Sequence, residues 1–482
     1  MLNKFLLATL LASTAHTQAF ANPWPQMAKT DLDFVYRTLQ ENHPGAIDKQ
    51  HPSFKAWMDT GYAQASASTA SAASLPDMKR ILARYLAGFA DGHLVVVFNQ
   101  QATHARWPGI VMGRIGNRYL VTGLAKEWTS ALPALNAELV SCDGRAPDTL
   151  MNEDILPSLF NLTTLNSVKA RNMFYLFLDD DLVPHQYARC VFEQAGERKQ
   201  FDLKWERIRT SSYEQHWDAA NPKASKRSTI TELAPKRYWV HLPNFQPDAQ
   251  AQTELKNLIA EMPTLRAAEL VVFDLRGNNG GNSQWADDVL SALYGKAFID
   301  DRKALQDSKG YTEWRVSSAN LKHINDIVAI QTQQFGAESE VVAIFSALAT
   351  RMAAALKAGQ PFVRQSATLP SAPARTGVQP LSKARAILVT DASCASSCLN
   401  GADVVLSLPD VRHFGYTTGA DTVFMDVRKV ELPSGLGTLV LGQKVDRAKV
   451  RGNNQPWVPS LQYDGQIGDT EKVKAWVLKN AR

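Results

Sequence analysis

The sequence predicts an α/β protein: an N-terminal helical segment, a small β-rich middle module and an α/β domain built on a largely parallel sheet. Three observations predict it. From Tyr238 onward, short apolar runs (238–242, 269–273, 386–390) alternate with helical patterns (249–262, 283–293, 339–358), as strands and crossover helices do. Between His93 and Leu203 the pattern changes to β-branched and aromatic runs at 94–98, 119–122, 138–144, 189–192 and 200–205. Before that, residues 22–90 carry helical spacing. The expected divisions are 1–21, 22–92, 93–235 and 236–482.

The first division reads as a secretory leader. Lys4 supplies a positive start, residues 5–12 an apolar core, and Ala19-Phe20-Ala21 the small-x-small form of a cleavage site. The expected mature chain begins at Asn22, in the periplasm or outside the cell. The apolar core falls short of the roughly 20 residues that cross a bilayer, and no later segment reads as a span.

Residues 31–41 place Leu32, Val35, Tyr36 and Leu39 on one helical face, closed by His43-Pro44-Gly45. The Ala/Ser-rich stretch 63–73 fits a loop or a weakly determined helix. Met78, Ile81, Leu82 and Leu86 mark the next helix. In the middle module, Glu138-Leu-Val-Ser-Cys-Asp-Gly144 reads as a strand running into an Asp-Gly turn. This region resembles the carboxylate-binding module called PDZ. Residues 366–380, with three prolines, read as a surface loop.

A chain of 482 residues, 45% hydrophobic and 21% charged, has ample length for two or three cores. Its net charge of +5 is spread out. No basic run is interleaved with aromatics, which argues against a nucleic-acid partner. The four cysteines, Cys142, Cys190, Cys394 and Cys398, permit three pairings. Local pairing, Cys142 with Cys190 and Cys394 with Cys398, suits an oxidising compartment; free buried thiols are the alternative. A C-x3-C pair with no second pair nearby is a poor zinc site, so neither metal nor cofactor is expected.

The chemistry concentrates in three segments. In Asp391-Ala-Ser-Cys-Ala-Ser-Ser-Cys-Leu-Asn400, small residues crowd a strand-to-helix turn with two serines at its centre. Such a turn can push a hydroxyl out above a sheet with a helix N-terminus behind it. In Asp274-Leu-Arg-Gly-Asn-Asn-Gly-Gly281, a buried strand runs into glycines that let backbone N–H groups approach an anion. The spacing G-x-x-G-G is not the dinucleotide fingerprint, and the Gly-Lys-Ser/Thr of a phosphate loop is absent. Asp91-Gly92-His93 puts a histidine at the head of a strand. Alone, such a histidine is more often structural; beside a serine turn it is a candidate base.

Together these segments resemble the tail-specific, or C-terminal processing, serine peptidases and their tricorn-like relatives. Val272-Phe-Asp-Leu-Arg-Gly-Asn-Asn-Gly-Gly281 is similar to the family's core strand motif, and Cys394-Ala-Ser-Ser-Cys-Leu399 to its nucleophile turn. Asp91 to His93 and the helix ending His43-Pro44-Gly45 have counterparts too. The resemblance implies a crotonase-like catalytic domain, a peptide or protein substrate, and Ser396 as nucleophile. Ser397 is the competing hydroxyl, and Ser393 reads as structural.

The chain departs from the family twice. Leu399 stands where a glutamate usually follows the nucleophile. In Gly415-Tyr-Thr-Thr-Gly-Ala-Asp421, Asp421 stands where many members carry the lysine base. The expected base is therefore His93, with Lys444 the nearest lysine in reserve. Ser397, Gly280 and Gly281 are the expected oxyanion donors, and Asp464 or Asp421 the carboxylate that orients His93. The expected activity is an exported serine endopeptidase. A non-catalytic ligand- or peptide-binding protein on the same fold, or a serine esterase, are the alternatives.

Overall fold

Leu270–Asp274 is buried at every position, and Arg385–Thr390 at every position but its first. Strands with no solvent face need covering layers on both sides. These two lie at the centre of a six-stranded sheet, described, like the rest of residues 22–306, 310–365 and 377–481, by a computed structural model. The order is Leu461–Gln462, Arg412–Gly415, Arg385–Thr390, Leu270–Asp274, Arg237–His241 and Thr229–Ala234. Every neighbouring pair is parallel except the last. Helices Ala249–Glu261, Gln284–Tyr294 and Ser397–Leu406 cover one face, where Leu258, Val289, Phe273 and Leu399 share a core. Helix Thr470–Asn480 covers the other through Val473 and Val477. The expected mixed α/β fold with a largely parallel sheet is present.

A second sheet was not read from the sequence. Four shorter strands, Val95–Phe98, Tyr311–Arg315, Phe362–Arg364 and Phe424–Glu431, assemble around the long strand Gly437–Arg447, all antiparallel. The N-terminal helices Trp24–Asn42, Pro52–Thr69 and Leu75–Ala87 pack against it, and Leu32, Val35, Met58 and Leu82 share one core with Leu439 and Leu441. The Ala/Ser-rich stretch is thus largely the end of a helix.

Two strands of the expected middle module pair with strands outside it. The strand after His93, assigned to the middle module, pairs with residues 437–440 instead. Thr229–Ala234, also assigned there, extends the parallel sheet. The physical reason is that alternation along a strand reports which face is apolar and says nothing about which strand lies alongside. What remains is a two-stranded ribbon of His104–Trp107 and Glu206–Arg209, and a five-stranded antiparallel sheet, Ile110–Ile115, Arg118–Leu124, Glu138–Cys142, Arg189–Gln194 and Glu197–Asp202. Cys142 and Cys190 are register partners within it and form a disulfide. Among the described residues no helix is long and apolar enough to cross a membrane. The expected leader, 1–21, and residues 366–376 of the expected proline-bearing loop lie outside the described residues.

Candidate active site

The parallel strand Arg385–Thr390 ends, the chain turns, and helix Ser397–Leu406 begins. Ser396 sits at the cap with φ 54° and ψ −126°. That is a conformation a non-glycine residue holds only when its surroundings enforce it, and here three contacts do. The backbone N–H of Ser396 donates to the Asp421 carboxylate. Cys394 and Cys398 form a buried disulfide that straddles the turn, and the Cys398 N–H donates to Ala395 O at 3.1 Å. The neighbouring hydroxyl of Ser397 donates to the Gly281 carbonyl. Ser397 is therefore a buried tie between helix and glycine turn, and Ser396 is the hydroxyl left facing the groove.

The glycine turn explains why the turn can lie so deep. Asp274 is fully buried and holds both Arg276, through two contacts of 2.8 Å, and His241 at 2.7 Å. Burial alone would push the Asp274 carboxyl up; these cations hold it well below the usual carboxylate range. Asn278, equally buried, donates from its amide to Leu242 O and accepts the Gly280 N–H at 2.8 Å. A Cβ on Gly280, whose φ is +100°, would stand 2.7 Å from Ala395 O and 2.8 Å from Ser397 N. Only glycine lets the two turns touch. Gly280 thus spends its N–H inside its own turn and is not a free oxyanion donor. Gly281 and Ser397 keep backbone N–H groups with no acceptor among the described residues.

His93 arrives from the other sheet. A tight turn, closed by Leu94 N to Asp91 O at 3.1 Å, delivers it at the head of Val95–Phe98. Its Nε2 lies 3.2 Å from Ser396 Oγ across 303 residues of sequence. Its Nδ1 lies 3.6 Å from Asp91 Oδ1, beyond hydrogen-bond reach, so Asp91 acts on the ring chiefly as a charge. Burial opposes an imidazolium here, yet Asp91, Asp421 and Asp426 outweigh it, and the His93 pKa is raised above its ordinary value.

Behind Asp91 lies a second histidine. His43 is fully buried, stacked on Phe54, and its Nδ1 accepts the Gly45 N–H at 3.0 Å. Its proton therefore sits on Nε2, which is 3.9 Å from Asp91 Oδ2. Burial lowers the His43 pKa to about 4, so it faces Asp91 as a neutral imidazole.

Several expected residues fall elsewhere. Asp464 is exposed and pairs with Arg118 at 3.3 Å; no contact joins it to His93. Asp421 touches the Ser396 backbone and not the imidazole. The carboxylate beside the ring is Asp91, two residues before it, where the Asp-Gly-His segment carries it. Lys444 is paired with Asp426 at 2.7 Å. Burial would lower its pKa, but Asp426 and Asp446 raise it, so it stays charged and is no base. His93, Ser396 and Gly281 open onto one groove of about 1870 Å³ that runs past the strand Val95–Phe98.

This arrangement can deprotonate a hydroxyl and stabilise an oxyanion beside it. Residues 238–400 match the model of Peptidase family S41. That stretch spans the central parallel strands, the glycine turn and Ser396, and stops short of His93. The structure of mature CPAF is 12% identical, with 95% of this chain and 98% of that one covered at a TM-score of 0.62. The structure of mature CPAF complexed with lactacystin is 13% identical, with 95% and 99% covered at a TM-score of 0.62. At these identities the likeness speaks for the fold. No curated protein matches the chain.

Proposed function

We propose that this chain, a serine-type peptidase that belongs to peptidase family S41 through residues 238–400, cuts peptide bonds through an acyl-enzyme on Ser396 with His93 as base. The observation that carries the reading is the 3.2 Å approach of His93 Nε2 to a serine held at positive φ. A serine hydroxyl is a weak nucleophile until a base takes its proton. Nε2 is that base when the ring proton sits on Nδ1, the side facing Asp91.

Ser396 Oγ bonds to the substrate carbonyl carbon as its proton passes to Nε2. The carbonyl electrons move onto oxygen, and the N–H groups of Gly281 and Ser397, without an acceptor among the described residues, receive that charge. Each such donor is worth about 2.7–4 kcal/mol in a comparable site. The C–N bond then breaks as Nε2 returns the proton to the leaving amine. Water, deprotonated by the same nitrogen, releases the acid and restores Ser396. The Asp91 carboxylate favours the imidazolium formed between these steps, as the acid of other triads does.

A fluorophosphonate probe tests the reading. Wild-type protein should be labelled, with the label mapped by peptide mass spectrometry to Ser396, and Ser396→Ala should not react. Labelling absent from folded wild-type protein would sink it. Peptide against ester substrates then separates a peptidase from an esterase. Export to the periplasm or beyond belongs to the same proposal. It is supported by the leader-like residues 1–21 and by two disulfides that suit an oxidising compartment. N-terminal sequencing of the mature protein should read from Asn22.

A further inference from the structure

The strand that begins two residues after His93 has one bare edge. Among the described residues, Val95–Phe98 pairs only with Gly437–Val440, in the register Val95↔Val440 to Phe98↔Gly437. Asn99 N continues that register by donating to Leu436 O at 3.0 Å. Antiparallel residues alternate between hydrogen-bonded and non-bonded pairs. Val95, Val97 and Asn99 therefore turn their backbone groups toward the partner strand. Val96 turns both its N–H and its C=O the other way, with the Phe98 N–H and the Leu94 C=O beside them. The Phe98 C=O on that side already accepts from the Gln101 amide at 3.1 Å.

Exposed edges are ordinarily blunted by charges, prolines or bulges. This one is Val-Val-Val-Phe in unbroken register. Val95 and Val97 are 42% and 53% exposed, and with Val427 they line the groove that holds His93 and Ser396. Bare backbone groups, an apolar face and a catalytic residue at the head of the strand thus lie on one continuous surface.

We propose that Val95–Phe98 is the template on which an extended peptide substrate pairs as an added antiparallel strand, with apolar side chains seated against Val95, Val97 and Val427. The inference rests on the peptide-cleaving reading above and names how that site takes its substrate. One substrate residue exchanges two hydrogen bonds with Val96. Its neighbours two positions away meet Leu94 C=O and Phe98 N–H. Alternate side chains then face Val95 and Val97.

The test reads binding, so it does not depend on turnover. The probe is a fluorescein-labelled peptide of alternating valine and serine, about eight residues long so that it outruns the strand. Its affinity for full-length Ser396→Ala protein is followed by anisotropy. N-methylation of single peptide nitrogens should weaken binding about tenfold at alternate residues and leave the residues between them unaffected. Adding Val97→Lys should weaken binding of this peptide and restore it when aspartate replaces its valines. No binding of the probe, equal losses at consecutive nitrogens, or indifference of both peptides to Val97→Lys would each overturn the strand template. Failure of the chemistry would show separately, as wild-type protein that the fluorophosphonate does not label.

Discussion

The nucleophile and the base of the candidate site ride on different sheets, and the two sheets hold them differently. Ser396 is positioned by its neighbours in sequence. A buried parallel strand, a disulfide between Cys394 and Cys398 and a helix N-terminus fix its backbone within a dozen residues. Its two long-range contacts, Asp421 and the glycine turn, help enforce a positive-φ conformation that a serine does not favour by itself. His93 has almost no local support beyond its Asp91 turn. It stands where it does because Val95–Phe98 pairs with residues more than three hundred positions away and because three N-terminal helices back that pairing. The comparison teaches that one half of this site is a local motif and the other half a product of topology. The reacting pair exists only when both sheets are in place.

The largest test removes one member from each sheet. Ser396→Ala and His93→Ala should each lower kcat on a peptide by about 10³-fold or more, and the double variant should be no worse than the singles. Additive losses, measured on protein with unchanged circular dichroism, would show that the two sheets do not build one site.

Asp91→Asn sharpens the base's side of the comparison. Loss of the carboxylate should cost about 10²–10⁴-fold in kcat, as in other triads. It also has a signed pH consequence. His93 must be neutral to accept the proton, so activity rises with pH through its pKa. Asp91 is among the groups that raise that pKa. The acidic limb of the Asp91→Asn profile should therefore lie at lower pH than the wild-type limb. A limb that stays in place would remove Asp91 from the mechanism.

Gly280→Ala attacks the nucleophile's side through packing alone. The new Cβ would press on the backbone of Ala395 and Ser397. The expected cost is roughly 1–3 kcal/mol in denaturant unfolding, with fluorophosphonate labelling slowed because the displaced backbone carries Ser396. Unchanged stability and labelling would mean that the two turns do not touch in solution.

The two disulfides, whose smallest expected effect is on the rate of labelling, extend the comparison. Cys398→Ser opens a loop with a separation of 4, which chain entropy values at about 2 kcal/mol. Cys190→Ser opens a separation of 48, worth about 4 kcal/mol. The first should slow labelling of Ser396 more than it lowers stability. The second should lower stability and leave labelling unchanged. The reverse pattern in thermal melts and labelling rates would break the assignment of the short bridge to the nucleophile turn.

The parallel sheet, its flanking helices, the serine turn and the glycine turn are legible in the sequence, while the four cysteines permit three pairings that the folded chain narrows to one. The sequence writes the first four in contiguous residues, as apolar runs of strand length, helical spacing and small residues at a turn; Cys142 and Cys190, 48 residues apart, meet through sheet register. It also marked His93 and quoted Asp91 beside it. Only the tertiary structure decided that Val95–Phe98 belongs to the C-terminal antiparallel sheet, because a strand's pattern does not name its partner. The fold also decided that Asp91 faces the imidazole while Asp464 points to solvent, and that Lys444 is held by Asp426. It also decided that the Gly280 N–H is spent on Asn278. Ser396 and His93 stand 303 residues apart and Arg118 and Asp464 346, whereas the Asp91–His93 and Asn278–Gly280 contacts span two residues and turn on how the folded backbone is held. Local chemistry can propose such a distance, but only the closed fold can set it.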